Sequence, residues 1–355
     1  MQRITVTILV VFAFLFAACG VAPTSAPQIQ SASDPVDLSG IKDYLLSQSQ
    51  ELTTAATDLQ AAADRYYTLA ESTGFDYAAL WSNQEAAVIS DLEAARAAWM
   101  QASPAYEKME GIVAGTPSLA QFDVDLDAGA AAADDPEGAV SFDITLPDGR
   151  VLAQPGNLFG VPESALWGTE PTYDSGVAAD WNADGTVAFG ENLPDANVLK
   201  GSADLLATMA SDLAAAGQAW TPSESDAFTS LVVMVPTMNE YFGSWRDSRF
   251  VLGDASTQRD FTVISRLSDI VDILSGLELV YAQVRPRVES VAADQAAQIA
   301  TDMSALKAFV ADVYAQEQGG KRFTPEEADT LGAEAQNRAT AITGQISQVA
   351  GALGV

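Results

Sequence analysis

From residue 38 onward an apolar side chain returns every seventh position: Leu38, Leu45, Leu52, Leu59 and Tyr66, with Ile41, Ala55, Ala62 and Leu69 on the neighbouring line. A stripe of that period fits a long amphipathic helix that buries one face against other helices. Gly74 ends it, and a second helical stretch is expected over 77–113, with Ile89, Leu92, Ala95, Trp99 and Tyr106 as candidate core residues. Helices are expected to resume near Ser202. Ile299, Met303, Leu306, Val310 and Val313 mark a further stripe, and a last helix should run from Pro325 to Leu353. Thr221-Pro222-Ser223-Glu224 and Thr324-Pro325-Glu326-Glu327 both read as helix starts, with Thr at the N-cap, Pro at N1 and Glu at N3.

Between these helical parts, residues 116–200 are rich in Gly, Pro and Asp. Ser141–Leu146 alternates, Pro147-Asp148-Gly149 turns, and Arg150–Ala153 follows, which predicts a small β-hairpin. The expected fold class is all-α. Two helical bundles, or one double bundle, span about 37–115 and 201–355, joined through an irregular middle segment.

Charge and composition narrow the function. The 355 residues hold 17 Lys and Arg against 48 Asp and Glu, a net charge of −31, with no histidine. A Ser-His-Asp or Cys-His triad is therefore impossible, as is any metal site that needs imidazole. No nucleic-acid partner is expected, because that binding depends on basic residues neutralising phosphates. Such a chain attracts cations instead.

The first twenty residues, MQRITVTILVVFAFLFAACG, read as an export signal: Arg3, an apolar run from Ile4 to Phe16, then Ala17, Ala18 and the single cysteine, Cys19. Their end resembles a bacterial lipoprotein box, with Phe16 where leucine is usual. On that reading residues 1–18 are a signal peptide. Cys19 becomes the acylated N-terminus, membrane lipid is its partner, and residues 19–36 form a Pro/Ser/Ala tether. The protein is then lipid-anchored outside the cytoplasm, facing the periplasm or the outer cell surface. With one cysteine in the chain there is no disulfide partner.

The acidic residues concentrate in the middle. Between Met109 and Leu199 there are sixteen Asp and Glu and one basic residue, Arg150. Hard cations prefer oxygen ligands, so each cluster is a candidate site as well as a solvated surface. Glu107 and Glu110 lie at i and i+3 on one helix face. Asp123, Asp125 and Asp127 alternate in FDVDLD and, if extended, all point to one side. Asp180, Asn182, Asp184, Gly185, Thr186 and Glu191 fit the spacing of a calcium loop, without a helix clearly entering or leaving it. In NLFGVPESALWG, Pro162 suits N1 of a short helix and places Glu163 in its first turn, where it could simply stabilise the helix dipole.

Taken in order, these segments resemble the imelysin-like proteins, and within them the EfeO-type lipoproteins of bacterial iron uptake. Ala95–Trp99 and then AYEKME (Ala105–Glu110) resemble the family's Tyr-Glu-x-Ile-Glu segment. Phe122–Asp127 resembles its Leu-Asp-x-x-x-Asp segment at Asp123 and Asp127. FGVPESALWG (Phe159–Gly168) is similar to Phe-His-x-x-Glu…Leu-Trp-Gly, and Leu267-Ser-Asp269 through Gly276, Arg285-Pro286, FTPEE and Ile346–Leu353 continue the match. The family's histidine falls on Gly160. The resemblance implies a metal cleft of Glu107, Glu110, Asp123, Asp127 and Glu163, with Asp269 behind them. Without the histidine such a site favours a hard ion, iron as Fe(III) or Fe(II), or Ca(II), over zinc.

The leading expectation is a lipid-anchored protein that captures iron or another hard cation through carboxylates and passes it to a membrane iron permease, without catalysis. An alternative is a non-catalytic surface lipoprotein of the same fold that binds polysaccharide through calcium at Asp180–Glu191. A third is a member whose site has decayed into a scaffold. A peptidase comes last, because neither an imidazole base nor a conventional zinc site can be built.

Overall fold

The computed structural model of the protein describes residues 36–355. Residues 1–35, on which the expected signal peptide, the acylated Cys19 and most of the expected tether fall, lie outside the described residues.

The heptad stripe becomes α1 (Ser39–Ser72), with Leu45, Leu52, Leu59 and Tyr66 fully buried. Gly74 turns the chain at a φ of 65°. Asp76 then caps α2 (Tyr77–Gly115) by accepting from the Ala79 amide at 2.9 Å. Leu92, Ala95, Trp99 and Tyr106 are core residues as expected, whereas Ile89 is only half-buried. Val88 takes the inward position instead, because it continues the helical repeat of the buried Leu92, Ala95, Trp99, Ala102 and Tyr106.

The middle segment departs most from its sequence reading. FDVDLD is not extended: α3 (Ala120–Asp123) runs directly into a π-helical turn, Val124–Ala128. Its closing bond, from Gly129 N–H to Val124 O at 2.8 Å, spans five residues. The expected hairpin is present as β1 (Asp143–Thr145) paired antiparallel with β2 (Val151–Ala153), Ile144 opposite Leu152. The short helix α4 (Gly160–Trp167) carries Pro162 as its third residue rather than its first, with Glu163 still in the opening turn. A second small ladder that the sequence did not announce pairs β3 (Asp174–Ala178) with β4 (Asn192–Pro194).

Helices resume at α5 (Ala196–Ala219), six residues before Ser202, because Asp195 caps Asn197 N–H at 2.8 Å. α6 (Glu224–Met234) starts from Ser223, which forms a capping box with Asp226, so Thr221 is not the N-cap. A side chain can cap only if the next residues turn helical at once, and here the turn begins two residues later. α7 (Met238–Asp247) and α8 (Arg249–Leu252) lead to α9 (Arg266–Gln318), bent at Ala292, where φ is −153°. The expected stripe from Ile299 to Val313 is buried there. α10 (Pro325–Leu353) has the capping box foreseen at Thr324 and Glu327.

The result is mostly helical, with two small hairpins in the middle segment. α1 packs on α2 and α5, α2 packs on α9 and α6, and α10 packs on α7 and α9. α2 and α9 pack tightly at Gly276, where a Cβ would come within 2.4 Å of the Lys108 carbonyl. That crossing lies beside Glu107 and Glu110 on α2. None of the described helices is long and apolar enough to cross a membrane.

Candidate metal centre

α2 delivers its acid pair inward. Glu107 and Glu110 are 1% and 2% exposed, on the face that packs against α9. The π turn sets the partner residues: Asp123 and Asp127, one wide turn apart, are both buried. Asp125 is turned away and is satisfied elsewhere, accepting from Ser141 N–H and Oγ, both at 2.7 Å. The alternation of the three aspartates is therefore not what groups them. The first turn of α9 adds Arg266 and Asp269, both buried.

Among the described residues, Glu107, Glu110 and Asp127 bring one carboxylate oxygen each to within 4.8 Å of one another. Arg266 is the cation beside them. Its Nη1 lies 3.3 Å from Glu107 Oε1 and 3.0 Å from Asp269 Oδ2, and its Nη2 lies 3.5 Å from Asp127 Oδ2. Tyr241 on α7 donates to Glu110 Oε1, and Tyr106 donates to Asp123 Oδ1 at 2.8 Å. Two carboxylate oxygens, Glu107 Oε2 and Glu110 Oε2, are buried with no hydrogen-bond partner outside the Glu107–Glu110 pair itself. An orphaned buried oxygen costs on the order of 1–3 kcal/mol, more when charged. The site is thus short of donors or of positive charge.

The electrostatics say the same. Burial drives the Glu107 carboxyl well above its ordinary range, reinforced by Asp269 and Asp127. Burial, then Asp123 and Asp127, push Glu110 up to about 8, while a hydrogen bond shared with Glu107 and the charge of Arg266 pull the other way. Asp123 and Asp269 are each raised by burial to about 7, and Asp127 is raised by burial against the pull of Arg266. Burial opposes the charge on Arg266 too, but Asp127, Glu107 and Asp269 outweigh it and hold the guanidinium protonated. Five buried carboxyls thus face one guanidinium. All five hold their protons more tightly than free carboxyls, and a bound cation would take the place of those protons.

Glu163 has a different task. Its Oε1 accepts from Thr262 N–H at 2.7 Å, Thr262 Oγ1 at 2.8 Å and Val263 N–H at 3.3 Å, and its Oε2 accepts from Phe261 N–H at 2.9 Å. Burial pushes its carboxyl up to about 7, while these donors pull the other way. With both oxygens occupied, it pins the loop before α9 instead of joining the triad. The pinned loop holds Phe261 at a φ of 58°, uncommon for a bulky side chain, with its ring 3.8 Å from the Arg266 guanidinium carbon.

Gly160, where the resemblance places the family's histidine, leaves no room for a side chain. A Cβ there would meet the Asp260 carboxylate at 2.4–2.6 Å. Asp260 is held by Arg259 at 2.7 and 2.8 Å and by Asn157 Nδ2 at 3.2 Å. An acid from the loop before α9 therefore fills the space, and the site keeps an all-oxygen character.

A cavity of about 560 Å³ opens onto this centre, its wall including Asp127, Tyr241 and Arg266 on the inside and Asp134, Glu170 and Glu240 further out. The calcium-type loop is a separate feature. Asp180 accepts from Asp184 and Gly185 N–H, Asn182 from Asp184 N–H, Asp184 from Thr186, and Glu191 from Ala188 N–H at 2.7 Å, so its side chains are engaged with the loop's own backbone. Trp181 of that loop stacks on Arg96, whose guanidinium also holds the Leu166 and Gly190 carbonyls.

Sequence reasoning missed Arg266, Tyr241 and Phe261, and placed Tyr106 in the core and in AYEKME without a role at the centre. For Arg266 a signal existed, since RLSD opens a helix with a cation three residues from an acid. For Tyr241 and Phe261 none did.

The whole arrangement lies within a segment that a family model recognises: the imelysin model, peptidase family M75, matches residues 42–349. The chain belongs to the imelysin family. No curated protein sequence matches it. For an imelysin the structure supplies a mostly helical scaffold with a buried acidic triad that could hold a metal.

Proposed function

We propose that this imelysin captures a hard multivalent cation, iron foremost, at Glu107, Glu110 and Asp127, and passes it to a membrane uptake system. The observation that carries this reading is the pair of orphaned carboxylate oxygens, Glu107 Oε2 and Glu110 Oε2, inside a buried acidic cluster offset by a single guanidinium. Oxygen-only donors suit a hard ion, and the phenol groups of Tyr106 and Tyr241 lie at the edge of the same cluster. Asp123 and Asp269 extend the charge around the triad, and Glu163 supports it at one remove. Binding would release protons from the carboxyls, so capture needs no catalytic step. Anchoring through Cys19, an extracytoplasmic location and an iron permease as recipient belong to the same proposal and rest on the lipoprotein-like leader and the family resemblance.

The test is calorimetric titration of the full chain, in detergent, with citrate-buffered Fe(III), Ca(II) and Zn(II), repeated on Glu107→Gln/Glu110→Gln. Saturable binding of one iron, lost in the double variant, is the expected result. Calcium heat that persists in the double variant, without an iron response, would shift the function to the loop at Asp180–Glu191 and a surface-binding role.

A further inference from the structure

The guanidinium of Arg266 is a cation that two of the three triad carboxylates, Glu107 and Asp127, already hold. It bridges Glu107, Asp127 and Asp269, its side chain is 7% exposed, and its carbon lies 4.6 Å from the Tyr241 ring and 3.8 Å from the Phe261 ring. Yet it fits its place imperfectly. Its Nε has no acceptor, and a planar fork reaching three carboxylates by their edges leaves Glu107 Oε2 and Glu110 Oε2 unmatched. A spherical ion among the triad oxygens could take all of these contacts. Arg266 also lines the cavity of about 560 Å³, whose wall offers Asp134, Glu170 and Glu240 as new partners. The cavity reaches the triad at Asp127, the side from which an ion would enter and toward which the side chain would leave.

We propose that Arg266 is a resident counter-cation that a metal must displace from the triad, and that it thereby sets the minimum charge of the ion the site accepts. This rests on the metal-capture reading above. A monovalent ion that replaced the guanidinium would add no charge to the acidic pocket and would forfeit its charge-assisted hydrogen bonds. A divalent ion adds one unit and a trivalent ion adds two, each working against the repulsion among the buried carboxylates. Selection by valence follows from exchange, independently of ion size. Arg266 acts here as a specificity-determining residue, and Phe261, pinned by Glu163, gives the guanidinium a face to stack on while it is tucked in.

The experiment uses the full chain in detergent and Tb(III) chloride, a hard trivalent probe whose luminescence the neighbouring tyrosines sensitise. First, the unmodified chain is treated with phenylglyoxal with and without Tb(III), and the adducts are mapped by peptide mass. Arg266 should be protected without metal and become reactive with it, while Arg65, with its side chain 53% exposed, reacts in both states. Second, Arg266→Gln should bind Tb(III) at least tenfold more tightly. In that variant, exchanging tetramethylammonium for Na⁺ at constant ionic strength should weaken Tb(III) binding severalfold, whereas the unmodified chain should not respond. Continued protection of Arg266 in loaded protein overturns the proposal, as does a folded Arg266→Gln variant with equal or weaker affinity. In either case Tb(III) binding that is lost in Glu107→Gln/Glu110→Gln leaves the metal reading standing. If the unmodified chain binds no Tb(III) at all, both readings fall together. Should Arg266→Gln not fold, the adduct map of the unmodified chain decides.

Discussion

Single residues here divide into those that make the acidic centre and those that make it stand still. Glu163 is the clearest of the second kind, since its four accepted hydrogen bonds all go to Phe261, Thr262 and Val263. Replacing it by glutamine turns one accepting oxygen into a donor facing N–H groups. Glu163→Gln should therefore lose about 2–4 kcal/mol of stability in denaturant unfolding, the range for breaking a buried, charge-assisted set. The stoichiometry of metal binding should be unchanged, because the triad oxygens belong to other residues. Loss of stoichiometry in a folded variant would instead make Glu163 a ligand. Sequence placed Glu163 correctly in a first helical turn but could not show what it accepts from, because its partners lie about a hundred residues away on a loop with no motif.

At the scale of elements, the crossing of α2 and α9 creates the site. Gly276 permits it: a methyl group there would press to 2.4 Å from the Lys108 carbonyl, which is backbone and cannot turn aside. Gly276→Ala should force the helices apart by a few tenths of an ångström or more, costing about 1–3 kcal/mol as overpacking does. It should also weaken metal binding, since Glu107 and Glu110 on α2 would withdraw from Arg266 and Asp269 on α9. Thermal melting and the same metal titration check both effects. If stability falls and affinity holds, the helix separation does not govern the site. The π turn is the other decisive element. It converts an alternating Asp-x-Asp-x-Asp run into a pair, Asp123 and Asp127, that faces the centre and a third residue, Asp125, that ties down Ser141.

For the whole molecule, the buried carboxyls couple folding to pH. Glu110 is raised to about 8 and Asp123, Asp269 and Glu163 to about 7, all above their unfolded values. The native state therefore holds more protons than the unfolded chain between about pH 4 and about pH 8, and stability falls as pH rises through that window. Stability from these groups is complete below the unfolded carboxyl range and is lost as each folded group ionises. The metal-free protein should melt at a lower temperature near pH 8 than near pH 5, the reverse of ordinary acid denaturation. A bound cation should flatten the slope by taking the place of the protons. A melting temperature that climbs steadily over this range would mean that these carboxyls are ionised at little cost in the metal-free protein.

How much of this was legible in the chain depended on whether the cause was local. The heptad stripe dictated α1, the Thr324 capping box dictated the start of α10, and Pro147-Asp148-Gly149 dictated the first hairpin, because periodicity, capping and turn chemistry act within a few residues. The absence of histidine and the surplus of carboxylates settled, without any coordinates, that a metal site in this protein would be built from oxygen. The family resemblance already grouped Glu107, Glu110, Asp123, Asp127 and Asp269, but what gathers them, and that Glu163 stands apart, was decided by the tertiary structure. Glu107 and Asp269 share Arg266 because α2 packs against α9, and Glu163 is taken by the loop before α9. Each of those outcomes depends on burial and distance between segments far apart in sequence, and neither is written into the local pattern of residues.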